Sequence, residues 1–412
     1  MSRTRVAISN GFGQFHLRGL AEELDAAGEL VAFATGALPP QLVHSLPERL
    51  RRSGALRRLS ERSVDLRGGR IYQARFAEVF YQLGQLFRRR GIIRLADYST
   101  AISFDLFARS ALAALSDREP VDVFHVRAGV GGRSIRRARA RGVGVCCDHS
   151  IVAPRVIDQY VPQSPPTKLM PRMWNRIQQD IDAADVILVN SDFVKQTFVE
   201  SGIAPERVSV AYTPVDPSFA AMIDAAERAR ADRPMITFAG TGEYRKGIDV
   251  VVRVAEMIGA DRASWRVVGD WAADASVWRK QLPSFVSIEP KLPRAELAQT
   301  LAASDVFFFP SRAEGSARVV AEALRAGSQV VTTRMAGSAA RHGTDGFVLP
   351  SADDLDAFVG AIEELISASA SARTTSMIAT KAYARERLSR SRYLADVQSA
   401  YVETIRRSSH AS

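Results

Sequence analysis

Short uninterrupted apolar runs alternate along this chain with longer stretches of helical period. This is the pattern of strands covered on both faces and joined by helices. In the first half the runs are Val6–Ser9, Val121–Val126, the VGVCCDHS segment, Val186–Asn190 and the VSVAYTPVD segment; in the second they are Met235–Ala239, Trp265–Gly269, Phe285–Glu289, Val306–Phe309 and the QVVTT segment. Between them LRGLAEELDAAG, SIRRARARG, Met170–Ala183, DFVKQTFVESG and IDVVVRVAEMIG carry apolar residues at helical spacing. Strand, glycine turn and helix repeat in each half, so the expectation is an α/β protein of two doubly wound, Rossmann-like domains. A chain of 412 residues exceeds one ordinary core. Residues 216–233, polar and alanine-rich, read as the linker between domains 1–215 and 216–390.

The most informative stretch is Phe307–Gly327, FFFPSRAEGSARVVAEALRAG. Its apolar strand ends at Pro310, and its helix is expected from Ser316, a candidate N-cap, to Gly327, a good residue for the turn after a helix. Glu314 falls in the turn and Glu322 about two turns into the helix. The backbone N–H groups of Gly315, Ser316, Ala317, Arg318 and Val319 would then lie near the strand ends, where open parallel sheets bind ligands. Such groups suit a diphosphate, and the carboxylates suit sugar hydroxyls. The competing account is two solvated acids near a helix N-terminus, where the dipole favours negative charge. A second glycine-rich turn, Gly240-Thr241-Gly242-Glu243-Tyr244-Arg245-Lys246-Gly247, puts a lysine at a helix entrance, where it can share a diphosphate's charge. The turn Asn10-Gly11-Phe12-Gly13 matches a dinucleotide fingerprint only loosely, because His16 stands where a third glycine is needed. Asp180 and Asp182 form a D-x-D, yet on a helix they read as solvated acids rather than metal ligands. His125 reads as a structural histidine at a strand end, and Trp271 as a partly buried structural tryptophan.

Composition narrows the picture. Apolar and charged fractions of 46% and 24% are those of a globular protein. The only cysteines, Cys146 and Cys147, are adjacent, so neither a disulfide framework nor a metal spacing can be built, which fits a reducing compartment. No signal-peptide segment and no membrane-spanning stretch is legible, and the expectation is a cytoplasmic protein or one peripheral at the inner membrane face. The net charge of +10 is concentrated between Glu48 and Arg94, where thirteen arginines face four acids and are interleaved with leucine, phenylalanine and isoleucine. That basic helical segment 48–94 is a candidate for an anionic membrane surface or an acidic acceptor; no nucleic-acid motif accompanies it.

The Phe307–Gly327 string, the following QVVTT with Gly337, the ADVILVNS and YTPVD strings and VCCDHSIVAP resemble the retaining glycosyltransferases of family 4, most strongly from Met235 to Pro350. The resemblance implies the GT-B arrangement, two such domains facing across a cleft, with the C-terminal helix 391–412 packing back on the first domain. It implies retaining transfer of a hexosyl-type sugar from a nucleotide diphosphate sugar to a glycan, lipid-linked or small-molecule acceptor. No cofactor and no obligatory metal are expected. The resemblance makes Glu314 and His149 the candidate catalytic residues, and Glu322 the holder of the ribose diol. Gly13, Thr241, Arg245, Lys246 and Gly315 to Val319 are the further donor contacts it implies, with Arg245 ranked below Lys246. In the family's G-R-x-x-x-x-K-G pattern Gly240, Lys246 and Gly247 match, whereas Thr241 replaces a second phosphate-binding arginine. A nucleotide-sugar epimerase or a phosphorylase on the same fold, or a non-catalytic basic binding protein, are the alternatives.

Overall fold

A computed structural model describes residues 3–12, 17–36, 66–115, 119–160, 168–227 and 233–410. The candidate contact Gly13, the neighbouring His16 and the 48–65 part of the basic segment lie outside the described residues.

The strands form two parallel sheets. The first contains β1 (Val6–Ser9), β2 (Leu30–Thr35), β3 (Arg70–Gln73), β4 (Val123–Arg127), β5 (Gly144–Asp148), β6 (Val186–Val189) and β7 (Val208–Val210), in the spatial order β3-β2-β1-β4-β5-β6-β7. The second contains β8 (Met235–Ala239), β9 (Ser264–Val268), β10 (Val286–Glu289), β11 (Val306–Phe309), β12 (Gln329–Thr333) and β13 (Gly346–Leu349), in the order β10-β9-β8-β11-β12-β13. In each sheet the order reverses beside the first strand, between β1 and β4 and between β8 and β11. The loops at the carboxyl ends of those strand pairs diverge and leave a crevice.

The longer helices cover both sheets. In chain order they are α1 (Leu17–Ala26), α2 (Arg75–Arg89), α3 (Ile93–Ala111), α4 (Gly132–Arg139), α5 (Pro171–Asp182), α6 (Asp192–Glu200), α7 (Pro217–Ala225), α8 (Ile248–Ile258), α9 (Arg294–Ala303), α10 (Arg318–Ala326), α11 (Leu355–Ser367), α12 (Ala370–Arg387) and α13 (Arg390–His410). Phe307, Phe308 and Phe309 are fully buried, as a strand covered on both faces requires. The last helix returns to the first sheet, burying Tyr393, Val397, Ala400 and Tyr401 in one cluster with Val6, Ile8, Cys146 and Val186. The structural assignment of His125 agrees with its place there, buried with its Nδ1 2.7 Å from the Tyr401 hydroxyl. Trp271 packs against the second core.

Three expectations are corrected. The stretch from residue 216 is not a bare linker: Asp216 caps α7 by accepting from Phe219 N–H at 3.0 Å, Pro217 opens the helix, and Phe219 and Ile223 are buried in the second core. The basic segment is not helical throughout, because Arg70–Gln73 pairs as an edge strand with β2. Asp180 is not solvated. Only 3% exposed, its carboxylate accepts from the N–H groups of Gly129, Gly131 and Gly132 at 2.8, 2.7 and 2.7 Å, capping the turn into α4. Burial pushes its pKa up to about 6, against the lowering effect of those three hydrogen bonds. Asp182, exposed and bonded to Gln178, is the solvated acid expected.

Candidate functional site

The crevice of the second sheet is built from the loops after β8 and β11. They touch because Gly247 takes φ 76°, and a Cβ on it would stand 2.0 Å from the Pro310 carbonyl oxygen, a distance only glycine permits. Arg312 N–H donates to the Arg245 carbonyl at 2.8 Å, and the Arg312 guanidinium forks onto Asp249 at 2.8 Å on both arms. Two loops separated by more than sixty residues are thereby latched together.

On that frame Arg245 Nη1 donates to Glu314 Oε1 and to the Ala313 carbonyl, each at 2.8 Å, while its Nη2 reaches Glu243 at 2.6 Å. Lys246 Nζ lies 4.0 Å from the same Glu314 oxygen and close over Gly240. Arg245 is the closer partner of Glu314 and is bonded to three acceptors, whereas Lys246 stands at the longer distance from it. Thr241 stands in the same loop, half-buried.

From Glu314 the chain turns into α10. Glu314 N–H donates to Met335 carbonyl at 2.9 Å and Ala317 N–H to Ala336 carbonyl at 2.8 Å. Ala317 is thus corrected as a donor contact through its N–H, because the turn lies along the 334–336 turn and spends that group there. The N-cap position also falls on Ala317 rather than Ser316, with no side-chain capping bond. Ser316 instead lines a cleft of about 700 Å3 together with Arg318, Glu322, Arg294 and Asp216. Arg18, Ser150 and Asn190 line it from the first half of the chain. Glu322 is half-buried there; desolvation pushes its carboxyl up to about 7, with Arg318 and Arg294 pulling it down and Asp216 raising it.

The two halves meet at Gly315. Its carbonyl accepts from Ser191 Oγ at 2.6 Å, and a Cβ on it would lie 1.9 Å from the Ser150 carbonyl oxygen. Ser150 also borders a second pocket of about 210 Å3, lined by His149, Arg127, Phe12, Tyr81 and Trp174. His149 sits at the end of β5 with Nε2 donating to the Val152 carbonyl at 3.2 Å and its ring edge-on to Phe198. Burial lowers its pKa to about 4, assisted by Arg127 and opposed by the Val152 hydrogen bond and Asp148. At neutral pH the ring is uncharged. With Nε2 carrying the proton, Nδ1 is the acceptor.

The structure therefore brings Arg245, Lys246 and Glu314 into one cluster, continues through Gly315 into the cleft of Ser316, Arg318 and Glu322, and reaches His149 across Ser150. Lys246 and Glu322 do not line one common cavity; the 314–318 turn joins their surroundings. Sequence reasoning missed Arg294 and Asp216, an ion pair of 2.9 Å beside Glu322, and the Ser191 contact to Gly315.

Residues 13–219, half of the chain, match the family model described as Glycosyltransferase Family 4, and residues 233–368 match that described as Glycosyl transferases group 1. The chain belongs to glycosyltransferase family 4. It is similar to D-inositol 3-phosphate glycosyltransferase 1 of Catenulispora acidiphila, 29% identical over 273 residues, which are 60% of this chain and 64% of that protein. The D-inositol 3-phosphate glycosyltransferase of Thermobispora bispora is 28% identical over 46% of this chain and 49% of its own length. The matched region thus spans under two thirds of these relatives. Among solved structures, sucrose-phosphate synthase from Thermosynechococcus elongatus superposes with TM-score 0.61 at 16% identity, over 97% of this chain and 99% of that one. Anabaena HepE in complex with UDP and glucose does so with TM-score 0.57 at 14% identity, over 97% and 100%. The two parallel sheets are the GT-B arrangement of this family.

Proposed function

We propose that this family 4 member is a retaining, hexosyl-type glycosyltransferase that moves a sugar from a nucleotide diphosphate sugar to a hydroxyl acceptor. One observation carries the proposal: the crevice of the second sheet gathers Arg245, Lys246 and Glu314 on a turn that continues, within a few residues, into the cleft holding Glu322. A nucleotide diphosphate sugar is long enough to lie along that turn. Its ribose diol donates to Glu322 and its diphosphate meets Lys246 with the N–H groups of Gly315, Ser316, Arg318 and Val319. Its sugar hydroxyls donate to Glu314, which Arg245 holds in place.

The chemistry follows from those placements. The bond from the anomeric carbon to the diphosphate oxygen breaks, and its electron pair leaves with the diphosphate. Lys246, Arg245 and the first-turn N–H groups stabilise that growing charge. An acceptor hydroxyl forms the new carbon–oxygen bond from the face the diphosphate leaves, and its proton passes to the departing phosphate oxygen, so configuration is retained. The uncharged His149 offers an acceptor nitrogen toward positive charge developing at the anomeric carbon. The reading is supported by the relatives named D-inositol 3-phosphate glycosyltransferase and by the neighbour solved with UDP and glucose.

The test is product analysis on a panel of nucleotide sugars with hydroxyl acceptors. The expected products are free nucleoside diphosphate and a glycoside of the donor's own anomeric configuration, formed only when acceptor is present. Donor conversion without acceptor, or a requirement for inorganic phosphate, contradicts the proposal.

A further inference from the structure

The hairpin of α2 and α3 turns an unusual face to solvent. On α2, Phe76, Val79, Leu83 and Leu86 recur three and four residues apart with exposures of 81%, 58%, 38% and 40%, a single helix face. On α3, Leu95, Tyr98 and Ile102 repeat the spacing. Each stripe lies opposite its helix's buried residues, Ala77 and Gly84 on α2 and Ala96, Thr100 and Phe104 on α3. The helices touch where a Cβ on Gly84 would meet Thr100 Oγ1 at 2.8 Å. Tyr81 and Gln85 of α2 and Phe104 of α3 line one pocket beneath the hairpin, so the stripes, on the faces turned away from it, share the outer surface. Apolar residues scattered singly are ordinary on a surface, but seven on two adjoining helices form a patch.

The charge around this patch has one sign. Arg75, Arg89, Arg90, Arg94 and Arg109 are exposed, while Glu78 and Asp97 are buried and the exposed Asp105 is paired with Arg176 at 2.6 Å. A second copy of the chain would bring these arginines face to face with their own kind. A surface that accepts both the aliphatic stripe and the arginines must be apolar beneath an anionic layer, which describes an acidic bilayer. The same α2 contributes Tyr81, Gln85 and Arg88 to the pocket beside His149, so pocket and stripe are two sides of one helix about 10 Å thick.

We propose that the outer face of the α2–α3 hairpin docks on an anionic lipid bilayer, and that the pocket beside His149 takes an acceptor held in that bilayer. The second clause rests on the transferase reading above. The test is flotation of the full chain with vesicles of phosphatidylcholine alone or mixed with phosphatidylglycerol. Phe76→Ser combined with Leu83→Ser, and Arg89→Glu combined with Arg90→Glu, are compared with the wild type. All four positions are exposed and none lines a pocket described above, and retained stabilisation by a nucleotide sugar confirms that each variant folds. The wild type is expected to float with the mixed vesicles at least tenfold more strongly than with neutral ones, less so at high salt. Each variant is expected to lose at least tenfold. Equal binding to both vesicle types, undiminished binding by the serine variant, or no flotation at all, as an acidic protein partner would give, overturns docking. Donor stabilisation without flotation sinks docking and leaves the transferase reading intact. Flotation without donor stabilisation or product formation sinks the transferase reading and, with it, the acceptor clause.

Discussion

Glu322→Gln isolates a carboxylate of the cleft whose protonation changes near neutrality. Burial raises its pKa to about 7, so it is roughly one-tenth ionised at about pH 6 and nine-tenths at about pH 8. A ribose diol donates to the ionised form, and binding that requires that form strengthens about tenfold across this interval. The diphosphate of a nucleotide sugar has no group titrating there, and His149, lowered to about 4, stays neutral throughout. Asp180, raised to about 6, does titrate in the first half of the chain, but it does so equally in wild type and variant. Isothermal titration of the preferred nucleotide sugar at constant ionic strength should show affinity rising with pH in the wild type. The Gln variant should lose that rise and bind about tenfold to a hundredfold more weakly at about pH 8, the worth of a hydrogen bond to a charged group. The stability sign runs the other way. The folded state holds the Glu322 proton more tightly than the unfolded chain, so this group's contribution is fully present below about pH 4.5 and lost as pH rises through about 7. The Gln variant should accordingly melt higher than wild type at alkaline pH while binding donor less well. Flat wild-type affinity, or an unchanged slope in the Gln variant, refutes the reasoning.

Lys246→Ala should raise the donor KM at least tenfold and lower kcat as well, because the ammonium meets the bound diphosphate and also the charge that grows on it. Arg245→Ala should act mainly on kcat, since it frees Glu314; steady-state kinetics with equal KM effects in both would contradict this division. Asp180→Ala strands three buried N–H groups and should cost about 2–4 kcal/mol in urea unfolding, with donor affinity little changed. Gly247→Ala should destabilise by about 2–4 kcal/mol and abolish donor binding, since strain at φ 76° adds to the clash with Pro310. At Gly142, φ 68° with nothing within 4 Å, the same change should cost only about 1 kcal/mol by urea unfolding.

Much of this was legible because buried parallel strands are continuous apolar runs. The three phenylalanines before Pro310 and the strand at Met235–Ala239 stand out for that reason. What the runs do not carry is spatial order. That β8 lies beside β11, and hence that Arg245 meets Glu314, follows from a sheet order the chain does not spell out. β3 escaped notice because it is a polar edge strand with exposed Arg70 and Ile71. The helix α7 did carry a signal, Asp216-Pro217 followed by Phe219 and Ile223, which its alanines obscured. Asp180 had none, since its burial depends on a glycine turn some fifty residues earlier that it alone satisfies with three bonds. The loss of Ala317 N–H to Ala336 likewise depends on a neighbouring turn from elsewhere in the chain.

The central claim is that the loop of Arg245 and Lys246 and the helix of Glu322 hold one donor between them. A structure of the protein with an intact nucleotide diphosphate sugar tests this most directly. The account predicts the ribose hydroxyls within hydrogen-bond distance of Glu322, the diphosphate against Lys246 and the N–H groups of Gly315 and Ser316, and the sugar hydroxyls on Glu314. A donor bound at the first sheet's crevice, or one touching Glu322 while the diphosphate points away from Lys246, would contradict it.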